Sequence, residues 1–426
     1  MAVKQASFRK TVHRLMRSAF AVLPRDVRFG LYRQMIDCDP APDSRLELKV
    51  ANTQEELEAC FRILHDAYVG SGFMKPSPTG MRITMYHALP TTTTLCAKYD
   101  GRVVGTISMI REGVFGFPMQ AAFDLNDVRA RQGQIAEISA LAVHADFRKT
   151  GGAILFPLMK FMYEYCTEYF DTRHLVIAVN PDRIEMYESL LFFQRIQERV
   201  VDAYDFANGA PAVGATLDLP GAKEVFRRVY DKRKDRKNLY KYFVTLKLPH
   251  IKLPRRKYFT TTDPVLTPAM LDYFFNQRSE VFAELDDRRR ALLWSIYDQP
   301  EFRPYLPMVS ESYQSFVSMR RHQRFSLRCP AQIQLKGEGG RTVVLTVIEL
   351  SLTGFQAQSK LELPLQAEGR AKVELGVNET AELDVTVVRQ QQSEHGLYYG
   401  FKLNEADPVW RRCVSALETG NVAEDL

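Results

Sequence analysis

The stretch EISALAVHADFRKTGGAILFPLMKFMYEY, residues 137–165, indicates a strand, a short polar loop and a helix in direct succession. Two adjacent glycines, Gly151 and Gly152, stand where the helix is expected to begin. A glycine pair there lets the backbone approach a phosphate, with free N–H groups and the helix dipole directed at it. Arg148, three residues earlier, adds a cation. A plain turn between a strand and a helix explains the same residues. The neighbouring segments are therefore needed to distinguish a phosphate-binding loop from a plain turn.

The neighbouring segments alternate between strand and helix patterns. Downstream lie a buried strand and a helix that opens with Asn180-Pro181-Asp182, where proline suits the first turn. Upstream, Thr53 stands as the N-cap of a helix, with Glu56 at the capping-box position. Asp100-Gly101 joins two strands as a hairpin. The sequence therefore predicts a mixed α/β sheet over residues 45–205.

A strongly basic segment, residues 221–257, follows a Gly/Ala/Pro-rich stretch that indicates a loop. The segment holds 14 Lys/Arg and three acidic residues, a local charge of +11 in a chain of +6. Such a patch attracts acidic proteins, anionic lipid or nucleic acid, although a solvated surface explains it equally well. Together with a charged helical stretch, it predicts a basic and helical extension over residues 206–307.

The last quarter of the chain has the pattern of a small β-barrel. Residues 308–318 are Ser-rich and indicate a linker, residues 319–415 contain six short alternating segments, and 416–426 form a tail. Two motifs belong to this part, RRHQR (Arg320–Arg324) and ELSLTG (Glu349–Gly354), with 24 residues between them. Planar arginine forks suit a phosphate or a guanine edge.

The N-terminal residues 1–44 include a basic amphipathic helix over residues 7–24. This helix would dock on its own domain or lie on a membrane surface. The six cysteines are scattered, and no apolar run approaches membrane-spanning length. We therefore expect reduced thiols, no metal site, and a cytoplasmic location with the inner-membrane surface as the alternative.

The order of strand, glycine loop, helix and strand resembles the GNAT acyltransferases. A closer resemblance is to the long-chain N-acyl amino acid synthases, relatives of the acyl-homoserine lactone synthases, through Gly72–Pro78, Tyr86–Thr94, Gly105–Ser108 and Ala136–Ser139. The resemblance implies transfer of a fatty acyl group from the phosphopantetheine thioester of acyl carrier protein, or from acyl-CoA, to an amine. Ala140 replaces a larger or polar residue of the family, which leaves the acceptor open.

Glu137 is the candidate base for the attacking amine, and a strand carboxylate paired to a surface cation is the alternative. Tyr187 stands where GNAT enzymes often place the proton donor for the leaving thiolate, although a core tyrosine explains it as well. Arg148, Gly151 and Gly152 would hold the phosphate of the carrier. The basic segment 221–257 would dock acyl carrier protein, and nucleic acid is the less favoured partner because no nucleic-acid module is recognisable.

The two arginine and glycine motifs resemble the signature of a PilZ domain. That resemblance implies binding of cyclic di-GMP by Arg320, Arg321, Arg324, Glu349, Ser351 and Gly354, with Glu349 in place of the family's Asp or Asn. The predicted function is an N-acyltransferase regulated by cyclic di-GMP. An acetyl-CoA-dependent acetyltransferase and a non-catalytic cyclic di-GMP effector are the alternatives.

Overall fold

A computed structural model describes residues 22–419 apart from 114, 132, 149, 171, 261, 264, 298–299, 311–323, 338–340 and 394–395. It contains a large mixed α/β sheet followed by a closed antiparallel barrel. Both parts were predicted from the sequence and are confirmed. The basic amphipathic helix expected at 7–24 lies outside the described residues up to position 21.

The elements of the α/β part alternate along the chain. Its strands are β1 (Leu46–Val50), β2 (Thr92–Tyr99), β3 (Arg102–Arg111), β4 (Gln134–Val143), β5 (Thr172–Val179), β6 (Gln194–Arg195), β7 (Val201–Tyr204), β8 (Ala210–Asp218) and β9 (Ile251–Lys252). Its helices are α1 (Arg25–Gln34), α2 (Gln54–Gly70), α3 (Asn126–Arg129), α4 (Leu155–Glu164), α5 (Pro181–Leu191), α6 (Leu219–Tyr230), α7 (Pro268–Asp272) and α8 (Asp287–Ile296).

The strand order is β6-β8-β5-β4-β3-β2-β1-β9, with β7 beside β8. Neighbours run antiparallel except β4–β5 and β1–β9, which are parallel. Helix α4 returns the chain from β4 to β5 as a crossover, and its buried face packs into the main core with Leu158, Phe161 and Met162. The parallel β4–β5 pair thus lies at the centre of the sheet.

Helix starts follow the sequence signals. The side chain of Thr53 accepts a hydrogen bond from Glu56 N at 3.2 Å, as its capping position predicts. The Glu56 carboxylate does not complete a capping box on Thr53; it accepts from Asn52 N and from Lys49 and Lys98. Asn180 caps α5 by accepting from Asp182 N at 2.9 Å.

The stretch from 206 onward differs from the expected loop. After a short 3₁₀ turn, Ala210–Asp218 forms β8, which pairs with β5 from His174–Asp218 to Val179–Val213. Phe123 packs on Gly214 so closely that a Cβ there would lie 2.6 Å from the ring. β8 therefore belongs to the main sheet, and the Phe123 ring packs on its small residues.

The barrel closes in the order β10-β11-β12-β15-β14-β13. Its strands are β10 (Phe325–Leu335), β11 (Thr342–Ser351), β12 (Gly354–Ser359), β13 (Glu368–Gly376), β14 (Glu379–Ser393) and β15 (Gly396–Leu403), and α9 (Pro408–Thr419) follows. Alternate residues of β10 are buried, as the period of a strand requires. Trp410 of α9 is fully buried and donates from Nε1 to Ser351 O at 2.9 Å, so the helix seals the barrel beside the second motif.

Residues 256–260, here called the clamp, join the two parts. Phe259 N donates to Leu375 O at 2.8 Å and Arg328 N donates to Phe259 O at 3.1 Å, so the clamp bonds to both β13 and β10. Tyr258 is 1% exposed and lies in the hydrophobic core of the barrel. A segment of the α/β part therefore completes the packing of the barrel. No helix in the described part of the chain is long and apolar enough to cross a membrane.

Candidate functional site

The two central strands separate halfway along their length. β4 and β5 pair from Gln134–Thr172 to Glu137–Val176 and no further, whereas β5 continues along β8 to Val179. On the other side of β4, the register with β3 shifts between Ser108–Ser139 and Thr106–Ala142. Ala140 lies in this bulge with a left-handed φ of 56°, which is uncommon for a residue with a side chain. The sheet is therefore splayed, and its backbone is distorted beside the gap.

An apolar cavity of about 320 Å³ fills the gap. Leu141 and Val179 line it in the gap itself, and Met159 and Met162 of α4 and Phe226 of α6 line it further in. A volume of this size lies in the range of small-molecule pockets, roughly 300–1,000 Å³. Phe73 is in the lining, whereas Phe156 packs against the core outside it.

Tyr187 of α5 lies on the wall of this cavity. Its ring packs edge-on against Phe193 at 5.9 Å, and burial raises its pKa. Asn180, Arg183 and Lys223 line the same cavity, and both cations are exposed to solvent. A polar and basic rim thus surrounds an apolar interior, with a tyrosine hydroxyl available at the wall.

Glu137 is 2% exposed and lies outside the cavity lining. Its carboxylate accepts a hydrogen bond from Met119 N at 3.0 Å, and burial raises its pKa to about 8. The negative charge of Glu137 contributes to the raised pKa of Tyr86 and Tyr204, after burial, so the three groups lie within electrostatic reach. The alternative prediction for Glu137 was a surface ion pair, and the structure shows a buried carboxyl instead.

A second, small polar pocket lies beyond the bulge. Tyr68, Ser139 and Ala140 line both this pocket and the apolar cavity, and the polar side is formed by Arg82, Thr84, His87 and Ser108. Sequence reasoning did not single out Arg82. Its ring partners, Tyr68 at 4.1 Å and Phe206 at 5.5 Å, come from distant parts of the chain, so no local pattern marks it.

The glycine loop precedes α4 as predicted. Gly151 and Gly152 have left-handed φ values of 66° and 91°, and Arg148 is exposed, with Nε donating to Val143 O at 2.8 Å. Asp37 Oδ2 is 4.0 Å from the position of a Cβ at Gly151, and Asp37 pairs with Arg236 at 2.6 Å. The loop therefore adjoins one residue of the basic segment. The role of the loop in binding phosphate stays a prediction.

Much of the basic segment is paired with acidic residues. Ion pairs join Arg236 to Asp37, Lys241 to Asp235, Lys247 to Glu168, Lys252 to Glu47, Arg256 to Asp263 and Lys257 to Glu379. Lys223, Arg227 and Arg228 are exposed on α6 and form no ion pair within the described part of the chain. Lys232, Lys234 and Lys237, which follow α6, are likewise exposed and form no ion pair among the described residues. The available positive charge therefore lies on α6 and on the turn after it, and Lys223 lines the cavity.

The two motifs of the barrel meet at the ends of β10 and β11. Arg324 Nη1 and Glu349 Oε1 form an ion pair of 2.6 Å, with the two side chains 46% and 30% exposed. Ser351 Oγ donates to Gly354 O at 3.1 Å, and a Cβ on Gly354 would lie 2.4 Å from Phe401 O, so only glycine fits. Arg320 and Arg321 lie outside the described residues. Among the described residues no cluster of His, Cys, Asp or Glu is arranged to hold a metal.

Two family models match the chain. The family described as N-acyl amino acid synthase FeeM matches residues 59–218, and the PilZ domain matches residues 318–417. The splayed sheet and its cavity lie largely in the first match, and the barrel with both motifs lies in the second. The chain thus joins a FeeM-type domain to a PilZ domain. No curated protein matches the chain.

Solved structures align with each part separately. FeeM, an N-acyl amino acid synthase from uncultured soil microbes, is 23% identical over 42% of this chain and 94% of its own, with a TM-score of 0.36. The CoA-dependent acyl-homoserine lactone synthase BjaI is 18% identical over 43% of this chain and 89% of its own, with a TM-score of 0.32. The PilZ domain of YcgR from Escherichia coli, solved with cyclic di-GMP, is 17% identical over 24% of this chain and 95% of its own, with a TM-score of 0.21.

Proposed function

We propose that this chain, a FeeM-type domain joined to a PilZ domain, transfers a long fatty acyl group from a carrier thioester to an amine and is regulated by cyclic di-GMP. The observation that carries the proposal is the apolar cavity in the splay between β4 and β5, which ends at the Ala140 bulge. An acetyl group needs no such volume, so the cavity favours a long acyl donor over acetyl-CoA.

The reaction needs no covalent intermediate on the protein. The amine nitrogen attacks the thioester carbonyl, and the new C–N bond replaces the C–S bond as the thiolate leaves. Glu137 accepts the proton of the attacking amine, and Tyr187 on the cavity wall donates a proton to the thiolate. Backbone N–H groups of the bulge, which lie outside the regular ladder, stabilise the developing oxyanion.

The carrier approaches from the side of α6 and the glycine loop. The free N–H groups at the start of α4 and the side chain of Arg148 hold the phosphate of the phosphopantetheine arm. Lys223, Arg227 and Arg228 attract the acidic surface of acyl carrier protein, because their charge is not neutralised within the described part of the chain. The docking surface in this proposal is the exposed part of the segment 221–257, which begins at Lys223 beside the cavity and includes Arg227 and Arg228 in the last turn of α6.

The enzymatic proposal is tested with the purified full chain and three donors: dodecanoyl carrier protein, dodecanoyl-CoA and acetyl-CoA. We expect mass spectrometry to detect N-dodecanoyl products with a mixture of amino acids. The variant Ala222→Phe, which fills the cavity, should shift the preference toward short acyl donors. Glu224→Phe, on the exposed face of the same helix, is the matched control.

Two results would redirect the proposal. Turnover of acetyl-CoA with no preference for longer chains would support a conventional acetyltransferase. The absence of any thioester consumption, together with binding of the nucleotide, would support a non-catalytic effector.

Cyclic di-GMP binds in this proposal where the two motifs meet, with Arg324 turning from Glu349 to a phosphate or a guanine edge. The nucleotide must replace the ion pair between them. An exposed pair of this kind contributes only about 0–1 kcal/mol, so its loss is readily offset. Calorimetry should give an affinity at least about tenfold weaker for Arg324→Met, since hydrogen bonds to charged groups contribute roughly 1.5–3 kcal/mol.

The control for this experiment is Arg341→Met, which removes an exposed arginine elsewhere on the barrel. If the unaltered chain gives no heat of binding with cyclic di-GMP, the nucleotide is not its ligand, and the proposed regulation of acyl transfer is wrong.

The clamp supplies a physical route from the nucleotide to the acyl cavity. Arg324 immediately precedes β10, which bonds through Arg328 N to Phe259 O of the clamp. Within the clamp, Arg256 lies 3.2 Å from Asp263, and Nη1 donates to Thr260 O at 2.7 Å. The Asp263 carboxylate accepts from the hydroxyl of Tyr165, in the turn that continues α4.

Helix α4 closes this route at the cavity. It carries Met159, Met162 and Tyr163 along the cavity wall, two to six residues before Tyr165. A second contact reaches β4: with its amide nitrogen on Phe170 O, Gln134 presents its oxygen to Arg328 Nη1 at 3.1 Å. Gln134 lies three residues before Glu137. A shift of β10 on nucleotide binding would therefore be felt at both the acyl cavity and the catalytic strand.

A further inference from the structure

We infer that the small polar pocket beyond the Ala140 bulge binds the carboxylate of the acceptor, and that Arg82 determines the preference for a carboxylate-bearing amine. The inference rests on the proposed acyl transfer and specifies its second substrate. It comes from the geometry of Arg82, His87 and the bulge, which line one pocket next to the acyl cavity.

Arg82 is half-buried and has no carboxylate partner within 4.0 Å among the described residues. Its guanidinium lies over the ring of Tyr68 at 4.1 Å and over that of Phe206 at 5.5 Å, and Nη2 donates to Phe206 O. Aromatic faces and one carbonyl leave several of its five N–H donors for another group. By contrast, the comparable Arg129, which lies over Phe117 at 5.8 Å, pairs with Glu112 at 2.6 Å.

An arginine without a counter-ion in a sheltered pocket is expected to bind an anion. Its planar fork matches a carboxylate in a bidentate arrangement, and hydrogen bonds between charged partners are about twice as strong as neutral ones. Among the described residues, no acid lines the pocket, and the polar groups of the lining are hydroxyls, an imidazole and this guanidinium. The charge of the pocket is therefore positive.

Two further donors belong to this region: His87 lines the pocket, and Tyr204 lies within electrostatic reach of Arg82. Tyr204 is 3% exposed, and its hydroxyl has no hydrogen-bond partner among the described residues, although leaving a buried hydroxyl unpaired is costly. The backbone N–H of Thr84 donates to Nδ1 of His87 at 3.1 Å. The neutral imidazole therefore carries its proton on Nε2, as a donor. Both groups suit an acceptor ligand such as a carboxylate oxygen.

The position of the pocket explains how such an acceptor would react. Ser139 and Ala140 line both the pocket and the acyl cavity, so a ligand held by Arg82 lies on the opposite side of the bulge from the acyl chain. Glu137 is two residues earlier on the same face of β4 as Ser139. A carboxylate bound at Arg82 would thus orient the amino group of an α-amino acid between the thioester carbonyl and the base.

The pocket is closed in this structure, with an internal volume of about 10 Å³. The bond from Arg82 to Phe206 O helps to close it, and Phe206 lies in the short turn Asp205–Ala207, followed by Asn208 with a left-handed φ of 54°. A substrate carboxylate would replace the Phe206 carbonyl as the acceptor of this hydrogen bond. When the amine substrate enters, Arg82 therefore exchanges a neutral hydrogen-bond acceptor, the Phe206 carbonyl, for a charged one, the substrate carboxylate.

The test compares amines that differ only in the carboxylate: leucine with isopentylamine, and phenylalanine with phenethylamine, using dodecanoyl carrier protein as donor. We expect the full chain to prefer the amino acids. Arg82→Gln should lower kcat/KM for the amino acids by about 30-fold or more, and leave the decarboxylated amines within about threefold. Arg82→Lys should retain part of the preference. Arg129→Gln should retain all of it.

A binding measurement separates this inference from the acyltransferase proposal. Calorimetry with N-octanoyl-phenylalanine and N-octanoyl-phenethylamine needs no turnover, and the acid should bind at least about tenfold tighter, a difference that Arg82→Gln removes. An equal loss with both ligands would make Arg82 a merely structural residue and overturn the inference. So would a loss of preference in Arg129→Gln with none in Arg82→Gln. Tight, Arg82-dependent binding without turnover would sink the enzymatic proposal alone.

Discussion

Glu137 is a buried carboxyl on β4, and burial raises its pKa to about 8 from an ordinary value of 4.5. As a base it must be ionised, so kcat/KM for acyl transfer should rise with pH and level off above about 8. Glu137→Gln should lower kcat/KM by roughly 10²–10⁴-fold and remove this pH dependence. A pH profile with unchanged shape in Glu137→Gln would exclude it as the base.

The same shift makes a prediction about stability. Between pH 4.5 and about 8 the folded state holds a proton on Glu137 that the unfolded state has lost. Its contribution to the free energy of unfolding is thus complete below pH 4.5 and is lost as the pH rises to about 8. Glu137→Gln should therefore gain stability relative to the unaltered chain above pH 8, which denaturant unfolding at pH 5 and pH 9 would measure. A stability difference independent of pH would show that the carboxyl ionises freely in the folded protein.

At this scale the sequence indicated Glu137 and Tyr187 but not the residues around them. Glu137 stands in a strand whose neighbours match a known family, and Tyr187 follows an evident helix start. Arg82 and Tyr204 are separated by 121 intervening residues, and only the folded chain brings the turn after β7, with Phe206, onto Arg82. A lone arginine in a loop forms no recognisable sequence pattern. What marks Arg82 is that no carboxylate lies near it among the described residues, and only the folded structure shows this.

The start of α4 allows a comparison of two adjacent glycines. A Cβ on Gly152 would lie 2.6 Å from the ring of Phe156, whereas a Cβ on Gly151 meets nothing closer than Asp37 Oδ2 at 4.0 Å. Both have left-handed φ values, which cost a side chain about 1–2 kcal/mol. We expect Gly152→Ala to raise KM for the acyl carrier substantially more than Gly151→Ala, measured with the same acceptor. Equal effects would mean that the loop tolerates a displaced Phe156.

Elements with strong periodicity were predicted correctly, and the exceptions have physical causes. The hairpin at Asp100-Gly101 and all six strands of the barrel form as expected, since turn residues and alternation mark them. β8 was read as a loop because alanine and glycine have little strand preference. Its place in the sheet comes from the Phe123 ring and from pairing with β5, neither of which is visible within the segment itself.

The joint between the two parts makes a prediction for the whole molecule. Tyr165→Phe removes the hydroxyl that donates to Asp263 and leaves both the barrel motifs and the cavity wall intact. Cyclic di-GMP should bind with an affinity within about twofold of the unaltered chain, while the change in acyl transfer that it causes is lost. Tyr99→Phe, which removes a tyrosine–aspartate bond of 2.8 Å at the far edge of the sheet, is the control. A full response in Tyr165→Phe would place the coupling elsewhere.

The mixed α/β sheet and the barrel that follows it were foreseeable, and the clamp was not. Residues 256–260 are basic and aromatic, which suggested a surface patch. Their partners on β10 and β13 lie about 70 to 120 residues further along the chain, and only the closed barrel brings those two strands together. The count of charged residues likewise overestimated the available positive charge of the basic segment 221–257, because it does not include ion pairs with acids that are distant in the sequence.

Because of the clamp, the barrel is not a domain that can be separated from the chain at the apparent linker. Gly376 has its Cβ position only 1.8 Å from Lys257 O, and the Tyr258 ring occupies space within the barrel core. A fragment cut at the apparent linker near residue 310 would leave that space empty and two strand edges unsatisfied. During synthesis the clamp leaves the ribosome before the strands it joins, so the α/β part can present a template on which the barrel assembles. Recombination that exchanged this barrel for another would have to carry over five residues that precede it in the chain, beyond the apparent linker.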